Sequence, residues 1–301
     1  MARIPTTPPG DTPTTPAGDA GPDDHDDFGG LQRDTAALLT RRRALRWVAG
    51  IGLAGVAVAC GADVSTDSGA ESSTSGGSGS SSTGSTSTST GSTTAGAGEE
   101  IPEETAGPYP ADGTNGPNVL GTEGLERSDM TTSFGDYSGT ADGVRTTMQY
   151  TVVDASTGDP IAGAAFYLWH CTAGGQYSLY EVEDQNYLRA LQITDDAGKV
   201  SFSSVFPGCY SGRWPHTHFE IYSSVDEATT GRAALRTSQL ALPQADCEVV
   251  YEDDRYGNSL SNLGRLSLAT DNIFRDGWES QLGTVSGSND EGYTVSLLVR
   301  V

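Results

Sequence analysis

Residues 62–98 consist almost entirely of Ser, Thr and Gly, and this run limits the folded part of the chain to the residues after it. A segment of this composition cannot bury enough apolar surface to offset the entropy lost on ordering, so residues 61–100 are predicted to form a flexible linker. Residues 1–39 are rich in Pro, Thr and Asp, show no apolar periodicity and are predicted to be disordered. About 200 of the 301 residues remain, which is enough for one domain over residues 101–301.

Residues 40–60 resemble an export signal. A cationic cluster from Arg41 to Arg46 precedes an apolar run, Trp47 to Ala59, that is shorter than the roughly 20 residues needed to cross a bilayer. The pattern Thr-Arg-Arg-x-x-Leu-Arg is similar to a twin-arginine signal, and the residues around Cys60 are similar to a lipobox in which that cysteine is lipidated. We expect an exported protein, either secreted or anchored through Cys60 at the extracellular face of the cell membrane. The alternative is a buried helix that ends in an ordinary cysteine.

The charge balance argues against nucleic acid as a partner. The formal net charge is −23, and the only cluster of Lys and Arg is the short one within residues 40–60. Proteins that bind nucleic acid carry a basic patch or stripe, which this chain lacks outside that cluster. The acidic excess is instead consistent with solubility outside the cell.

The apolar pattern after residue 101 predicts an all-β domain. Met148, Tyr150 and Val152 alternate with polar residues, and the last nine residues alternate in the same way, as expected of half-buried strands. Many short strands separated by Gly- and Pro-containing turns favour a β-sandwich of the immunoglobulin or transthyretin-like type. The other predicted strands cover residues 161–169, 187–194, 198–203, 216–222 and 234–242. Residues 251–292 resemble loops of the kind that cap a site, and the sequence does not determine their role.

One predicted strand carries a His-x-His pair. Because side chains alternate across a strand, His216, His218 and Glu220 share one face, while the residues between them suit a core. Two neighbouring imidazoles are a recurrent way to hold zinc, copper or iron. The pattern alone is also compatible with two histidines that are merely exposed or hydrogen-bonded.

Several segments around this pair together resemble the intradiol ring-cleavage dioxygenases, a family of non-haem iron enzymes. The resemblance covers roughly residues 101–250, and the combination is specific where each segment alone is not. The segments are Glu104 to Tyr109, Leu168 to Cys171, Gly175 to Ser178, Tyr187 to Asp195, Pro207 to Phe219 and Thr237 to Leu240.

The resemblance implies a set of site residues. Tyr177, Tyr210, His216 and His218 would hold Fe(III), since two phenolates are hard anionic donors that favour the ferric state. Tyr210 would leave the iron and take a proton from a catechol-type substrate. Arg213 would stabilise the negative charge that develops on the ring as O2 adds. Gln239 and Tyr109 would line the substrate pocket.

The expected function is therefore Fe(III)-dependent intradiol cleavage of a catechol-type ring by O2 to a muconate-type diacid. One alternative is a non-catalytic β-sandwich binding module tethered at the cell surface, and another is a zinc or copper enzyme that uses the two histidines. The sequence determines neither the particular catechol nor the oligomeric state. Cys171, Cys209 and Cys247 allow three different disulfide pairings, each of which leaves one thiol over.

Overall fold

The computed structural model describes residues 96–301, which form two four-stranded β-sheets with a few short helices. The prediction of an all-β domain is confirmed. The more specific prediction of an immunoglobulin or transthyretin-like sandwich stays a prediction. The strands are β1 (Arg145–Val153), β2 (Ala165–Trp169), β3 (Arg189–Ile193), β4 (Lys199–Val205), β5 (His216–Tyr222), β6 (Arg236–Ala241), β7 (Thr284–Ser288) and β8 (Gly292–Arg300).

The helical elements lie in the second half of the described chain. The α-helices are α1 (Val225–Thr229), α2 (Gln244–Val250) and α3 (Ser259–Leu263), and two 3₁₀ turns occur at Asp254–Tyr256 and Phe274–Asp276. None of the helices within residues 96–301 is long and apolar enough to cross a membrane. The predictions of disorder over residues 1–39, an export signal over 40–60 with a lipidated Cys60, and a linker over 61–95 lie outside the described residues.

The first sheet has the strand order β4-β1-β8-β7 and contains the two strands with the clearest alternation in the sequence. Strand β1 pairs with β4 in antiparallel and with β8 in parallel orientation. Along β8 every second side chain is buried and those between are partly exposed, because only one face of this sheet contacts the core. The alternation therefore predicted these strands correctly.

The second sheet has the order β3-β2-β5-β6, and its inner face packs on the first sheet. Tyr150 of β1 contacts Phe166 of β2 and Phe219 of β5, with ring centroids 4.6 Å and 5.6 Å away. The Tyr150 hydroxyl is also 2.8 Å from the hydroxyl of Thr217, so this buried polar atom has a partner. These odd-numbered residues of β5 thus belong to the core, as their pattern predicted.

The outer face of the second sheet is buried as well. Residues from the segment before β1 cover it, among them Val119, Leu125 and Phe134, together with the long loop between β2 and β3. For this reason β2 and β5 are buried at every position and show no alternation in burial. The even-numbered residues of β5 lie in this second, covered layer.

Several boundaries differ from the prediction. Strand β2 begins at Ala165 and not at Ile161, because Gly163 adopts a positive φ of 79° that interrupts the extended run. Strand β7 and the helices were not predicted from the sequence. The region 251–292 contains helix α3, two 3₁₀ turns and strand β7 and is therefore not made of loops alone.

Candidate metal centre

Strand β5 places His216 and His218 on the outer face of the second sheet, beneath the covering segments. In the register of the sheet, His218 lies opposite Trp169 of β2 on one side and Gln239 of β6 on the other. The Trp169 and His218 rings stack with centroids 5.0 Å apart and planes 5° apart. This contact fixes the imidazole plane, so the direction of its nitrogens is set by the sheet.

Two loops bring tyrosines to the same place. Tyr177 lies in the loop between β2 and β3, and Tyr210 lies in the loop between β4 and β5. Glycines let these loops approach each other. A Cβ at Gly208 would lie 2.2 Å from the carbonyl oxygen of Ala173, and one at Gly175, whose φ is 85°, would lie 3.0 Å from the Tyr210 Cβ. Larger residues at these positions would force the loops apart.

Four potential metal ligands lie close together: the Nε2 atoms of His216 and His218 and the Oη atoms of Tyr177 and Tyr210. The Nε2 atom of His216 is near each of the other three. It lies 3.0 Å from His218 Nε2, 3.3 Å from Tyr210 Oη and 3.5 Å from Tyr177 Oη. A single imidazole nitrogen carries either one proton or one lone pair, and it cannot satisfy three such neighbours at once. A cation that accepts all four lone pairs satisfies them together.

The tautomer of His216 suits this role. Its Nδ1 donates to the carbonyl oxygen of Trp214 at 2.5 Å, which leaves the lone pair of Nε2 directed at the other donors. Metal-binding histidines commonly donate their second nitrogen to a carbonyl or carboxylate in this way. The Nδ1 of His218 is buried and has no hydrogen-bond partner in the described residues.

The electrostatic environment favours the neutral forms of His216, His218 and Tyr177. Burial, with a contribution from the Arg213 charge, lowers the pKa of His216, and burial followed by the neighbouring His216 lowers the pKa of His218. Burial, followed by the neighbouring Tyr210, raises the pKa of Tyr177 well above its usual value. Tyr177 therefore becomes a phenolate here only if a positive ion compensates its charge.

The donor set is unusual in containing no carboxylate or thiolate. Across residues 96–301, no three His, Cys, Asp or Glu side chains group together as a metal site. A cation at the candidate centre would thus take phenol oxygens in addition to imidazoles. Hard anionic oxygen donors of this kind suit a ferric ion better than a soft or divalent one.

Arg213 lies beside this centre in a buried polar network. Its Nε donates to Asp271 Oδ2 at 3.1 Å and its Nη2 donates to Gln239 Oε1 at 2.7 Å. The amide nitrogen of Gln239 in turn donates to the carbonyl oxygen of Thr105 at 2.9 Å. The structure therefore brings Gln239 next to Arg213, with both ends of its amide already in hydrogen bonds to the protein.

Tyr109 also reaches the centre. Its ring contacts the rings of Tyr177 and Tyr180, with centroids 5.0 Å and 4.9 Å away. All seven residues selected from the sequence thus lie in or next to one region. Asp271 was missed, because the residues around it in the sequence form no motif.

The three cysteines in the described region form no disulfide. Cys171, Cys209 and Cys247 are free and buried, so none of the three pairings considered from the sequence occurs in the structure. Burial raises the pKa of the Cys209 thiol to about 12, and it also raises the pKa of Cys171 and Cys247. These thiols therefore behave as small apolar residues, Cys209 and Cys247 in the core between the sheets and Cys171 in the layer on the outer face of the second sheet.

Comparison with known proteins gives a family match. The family model described as "Dioxygenase" matches residues 116–239, a range that contains both tyrosines of the centre, both histidines, Arg213 and Gln239. No curated protein sequence matches the chain.

Solved structures similar to the chain include an intradiol ring-cleavage dioxygenase from Tetranychus urticae. The identity is 23%, the TM-score is 0.49, and the alignment covers 60% of this chain and 87% of that one. The dioxygenase domain of a dioxygenase carbohydrate-binding protein fusion from Streptomyces sp. SirexAA-E is 20% identical, with a TM-score of 0.44 and coverage of 67% and 98%. Hydroxyquinol 1,2-dioxygenase from Pseudomonas putida DLL-E4 is 15% identical, with a TM-score of 0.43 and coverage of 68% of each chain.

Proposed function

Because the chain belongs to the intradiol ring-cleavage dioxygenase family and is an oxidoreductase of the dioxygenase type, we propose that it cleaves a catechol-type ring between the two hydroxyl-bearing carbons in an Fe(III)-dependent reaction. O2 is the co-substrate and a muconate-type diacid is the product. Both oxygen atoms enter the product, so no external reductant is required. Under this proposal the protein is an enzyme and not the non-catalytic binding module that the sequence also allowed.

The observation that carries the proposal is the convergence of two phenol oxygens and two imidazole nitrogens on one buried point. Tyr177, Tyr210, His216 and His218 would hold the iron, since this set supplies hard anionic donors together with neutral nitrogen ligands. A zinc or copper enzyme would use the two histidines but would leave the two tyrosines without a common purpose. An Fe(III) ion held by these residues would supply the electron withdrawal that makes the ring of a catecholate reactive toward O2.

Tyr210 is the residue best placed to move a proton. Both tyrosines lie in loops, but Tyr177 is almost fully buried, whereas Tyr210 keeps part of its surface exposed. A phenolate at Tyr210 Oη can accept a proton from a catechol hydroxyl and then withdraw toward solvent as a neutral phenol. Tyr177 and the two histidines stay in place because they are packed in the interior.

Arg213 supplies fixed positive charge next to the reacting ring. Its guanidinium is buried, and its charge lowers the pKa of His216 and His218 and partly offsets the rise in the pKa of Tyr177. A buried cation that is already oriented stabilises developing negative charge without reorganising solvent. Aromatic rings border the same region, since Trp169 stacks on His218 and Tyr109 packs against Tyr177.

The proposal is tested on the full chain purified in air. We expect about one iron per chain, a visible charge-transfer band from tyrosinate to Fe(III), and a shift of that band when catechol is added without O2. On admission of O2, catechol should be consumed with uptake of both oxygen atoms into the product. Hydroquinone, whose hydroxyls are too far apart to bind one ion together, should not react.

Matched variants locate the site. Tyr177→Phe and His216→Ala should lose iron and colour, whereas Tyr137→Phe, which removes an exposed phenol, should retain both. A protein that binds no iron even after reconstitution would refute the ring-cleavage proposal. Iron binding that survives both site variants would show that the metal lies elsewhere.

We also propose that the protein is exported and tethered through a lipidated Cys60. Support comes from the signal-like residues 40–60 and from the Ser/Thr/Gly run after them. Cys60→Ser should release the protein from the membrane fraction into the medium. Unchanged membrane association of that variant would contradict the anchoring.

A further inference from the structure

Asp271 is a buried carboxylate beside the centre, and it lies outside the residues that match the family model. It comes from the connection between helix α3 and strand β7, more than fifty residues after Arg213 in the chain. Its side chain is fully buried, and that of Arg213 is 2% exposed. A buried carboxylate stays ionised only if neighbouring groups compensate its negative charge.

Asp271 has those partners. Its Oδ2 accepts from Arg213 Nε at 3.1 Å and from the backbone nitrogen of Trp214 at 2.8 Å. Its Oδ1 accepts from the backbone nitrogens of Ile273 and Phe274 at 2.9 Å and 3.2 Å. The second pair of bonds ties the carboxylate to its own backbone, so it is a rigid acceptor and not a mobile counter-ion.

The loop that carries Arg213 needs such an acceptor. Arg213 lies between Tyr210 and His216 in a connection without regular secondary structure. Asp271 accepts from its Nε and Gln239 accepts from its Nη2, so the planar guanidinium is held at both of these nitrogens. Holding a planar group at two points fixes its plane, and with it the direction in which the remaining N–H groups point.

We propose that Asp271 is a positioning residue that orients Arg213 toward the reacting ring and keeps its charge in place during the reaction. This inference rests on the proposed ring-cleavage function. Asp271 would act through Arg213 without touching substrate. The region from residue 251 onward, which resembles no family motif, thereby gains a specific role in the site.

The electrostatics agree with this geometry. Burial by itself raises the pKa of Asp271, but the Arg213 guanidinium and the backbone N–H groups of Trp214 and Ile273 bring that pKa below its usual value. Asp271 therefore stays ionised beside Arg213. A neutral residue at this position would remove the carboxylate that fixes Nε of the guanidinium, while Gln239 would still accept from Nη2.

The test uses Asp271→Asn in the full-length, iron-loaded protein. This variant keeps the shape of the side chain but removes its charge. We expect iron content, the charge-transfer band and the anaerobic dissociation constant for 4-nitrocatechol to stay within roughly threefold of wild type, while kcat falls about 100-fold. Asp253→Asn, which removes the charge from the carboxylate that binds Arg255 on a more exposed part of the protein, should leave kcat unchanged.

A double-mutant cycle shows whether Asp271 acts through Arg213. In an Arg213→Gln background, Asp271→Asn should lower kcat by less than about threefold more, because its partner is already gone. The same cycle on unfolding of the iron-free protein should show coupling between the two residues, which gives a measure independent of turnover. If Asp271→Asn does not fold, Asp271→Glu keeps the charge and displaces the guanidinium, and its kcat should fall while iron is retained.

The outcomes separate the inference from its premise. A wild-type protein that binds iron but cleaves no catechol overturns the proposed function. An active wild type with unaffected kcat in Asp271→Asn overturns only the role of Asp271. So does an equal loss of kcat with and without Arg213, or a loss of iron from the folded Asp271→Asn variant, since either result would indicate a purely structural role.

Discussion

Both polar atoms of the Gln239 side chain form hydrogen bonds within the protein. Its oxygen accepts from Arg213 and its nitrogen donates to the carbonyl oxygen of Thr105, and the residue is fully buried. Gln239→Leu should therefore leave two buried polar groups without partners, which costs about 1–3 kcal/mol for each group left unsatisfied. We expect a lower free energy of unfolding together with a lower kcat, measured by urea denaturation and by O2 uptake.

The matched control is Gln244→Leu, at an exposed position in helix α2 whose amide contacts Glu248. That change should alter the free energy of unfolding by less than about 0.5 kcal/mol. If Gln239→Leu lowered the affinity for catechol and left kcat and stability unaltered, Gln239 would be a direct substrate contact, as the sequence suggests.

The residues of the centre could be selected from the sequence because they lie in short motifs whose spacing has meaning. His216 and His218 share a face of a strand, and Arg213 and Tyr210 precede them in the same segment. Asp271 could not be selected in this way. Its role depends on a contact with Arg213 across 58 positions in the chain, and no local pattern predicts which distant carboxylate meets a given arginine.

At the scale of elements, His170 joins the two sheets. It comes directly after β2, and its Nε2 lies 2.7 Å from the hydroxyl of Ser204 on β4, while its Nδ1 lies 2.7 Å from the carbonyl oxygen of Cys171. Burial lowers its pKa from 6.5 to about 4. The folded protein therefore holds this ring neutral at pH values where the unfolded chain is already protonated.

The lowered pKa of His170 makes the stability of the fold depend on pH. The contribution of His170 to stability is complete above pH 6.5 and is lost as the pH falls toward 4, at about 1.4 kcal/mol per pH unit. We expect the difference in unfolding free energy between wild type and His170→Asn to shrink by about 3 kcal/mol over that interval. Urea titrations of both proteins at a series of pH values measure it, and a difference that stays constant with pH would contradict the assignment.

Arg189 of β3 holds two loops that contact the centre. It donates to the carbonyl oxygen of Ser178 at 2.9 Å, directly after Tyr177, and to that of Pro110 at 3.0 Å, directly after Tyr109. Arg189→Met should remove both of these bonds, lower the free energy of unfolding by about 2–4 kcal/mol and reduce iron content. Iron content and urea denaturation report these effects.

Arg145→Met is the matched control, because this exposed arginine begins β1 and donates to the carbonyl oxygen of Glu291 at the surface. It should keep its iron and its stability. Full iron content in Arg189→Met would show that the Tyr177 loop keeps its position without this arginine.

How well each strand could be predicted depends on how many of its faces are buried. Strands β1 and β8 have one face on the core, so their alternation is visible in the sequence. Strand β7 is a short, mostly exposed edge strand of Thr, Val, Ser and Gly, and it has no apolar pattern that could have been recognised. Strand β2 is buried on both faces, so its apolar run predicted a strand but not where it starts.

For the molecule as far as the structure describes it, residues 96–144, which precede β1, act as a third layer. It covers the outer face of the second sheet and encloses the candidate centre between that sheet and the loops of the two tyrosines. The backbone of Ile101 donates to Arg300 and that of Glu104 donates to Thr237, so this layer is attached to both sheets. The position of the linker in the sequence therefore decides where the folded unit begins.

Two truncations test this arrangement. A chain that starts at residue 96 keeps every described residue and should match the full chain in iron content and unfolding free energy. A chain that starts at Asp112 loses the buried Ile101, the Thr105 carbonyl that binds Gln239 and the Tyr109 ring that contacts Tyr177. It should lose at least about 3 kcal/mol of stability and most of its iron, since it exposes apolar surface and unpairs buried polar groups.

Two other outcomes of the truncation experiment would contradict this arrangement. Equal stability of the two truncated chains would mean that residues 96–111 are not an essential part of the third layer. If the chain that starts at residue 96 were itself unstable, the residues before it would contribute to folding, and the prediction of a flexible linker would be wrong. The expected order places the boundary of the folded unit between the Ser/Thr/Gly run and Ile101, because the first buried apolar side chain of the described region is found there.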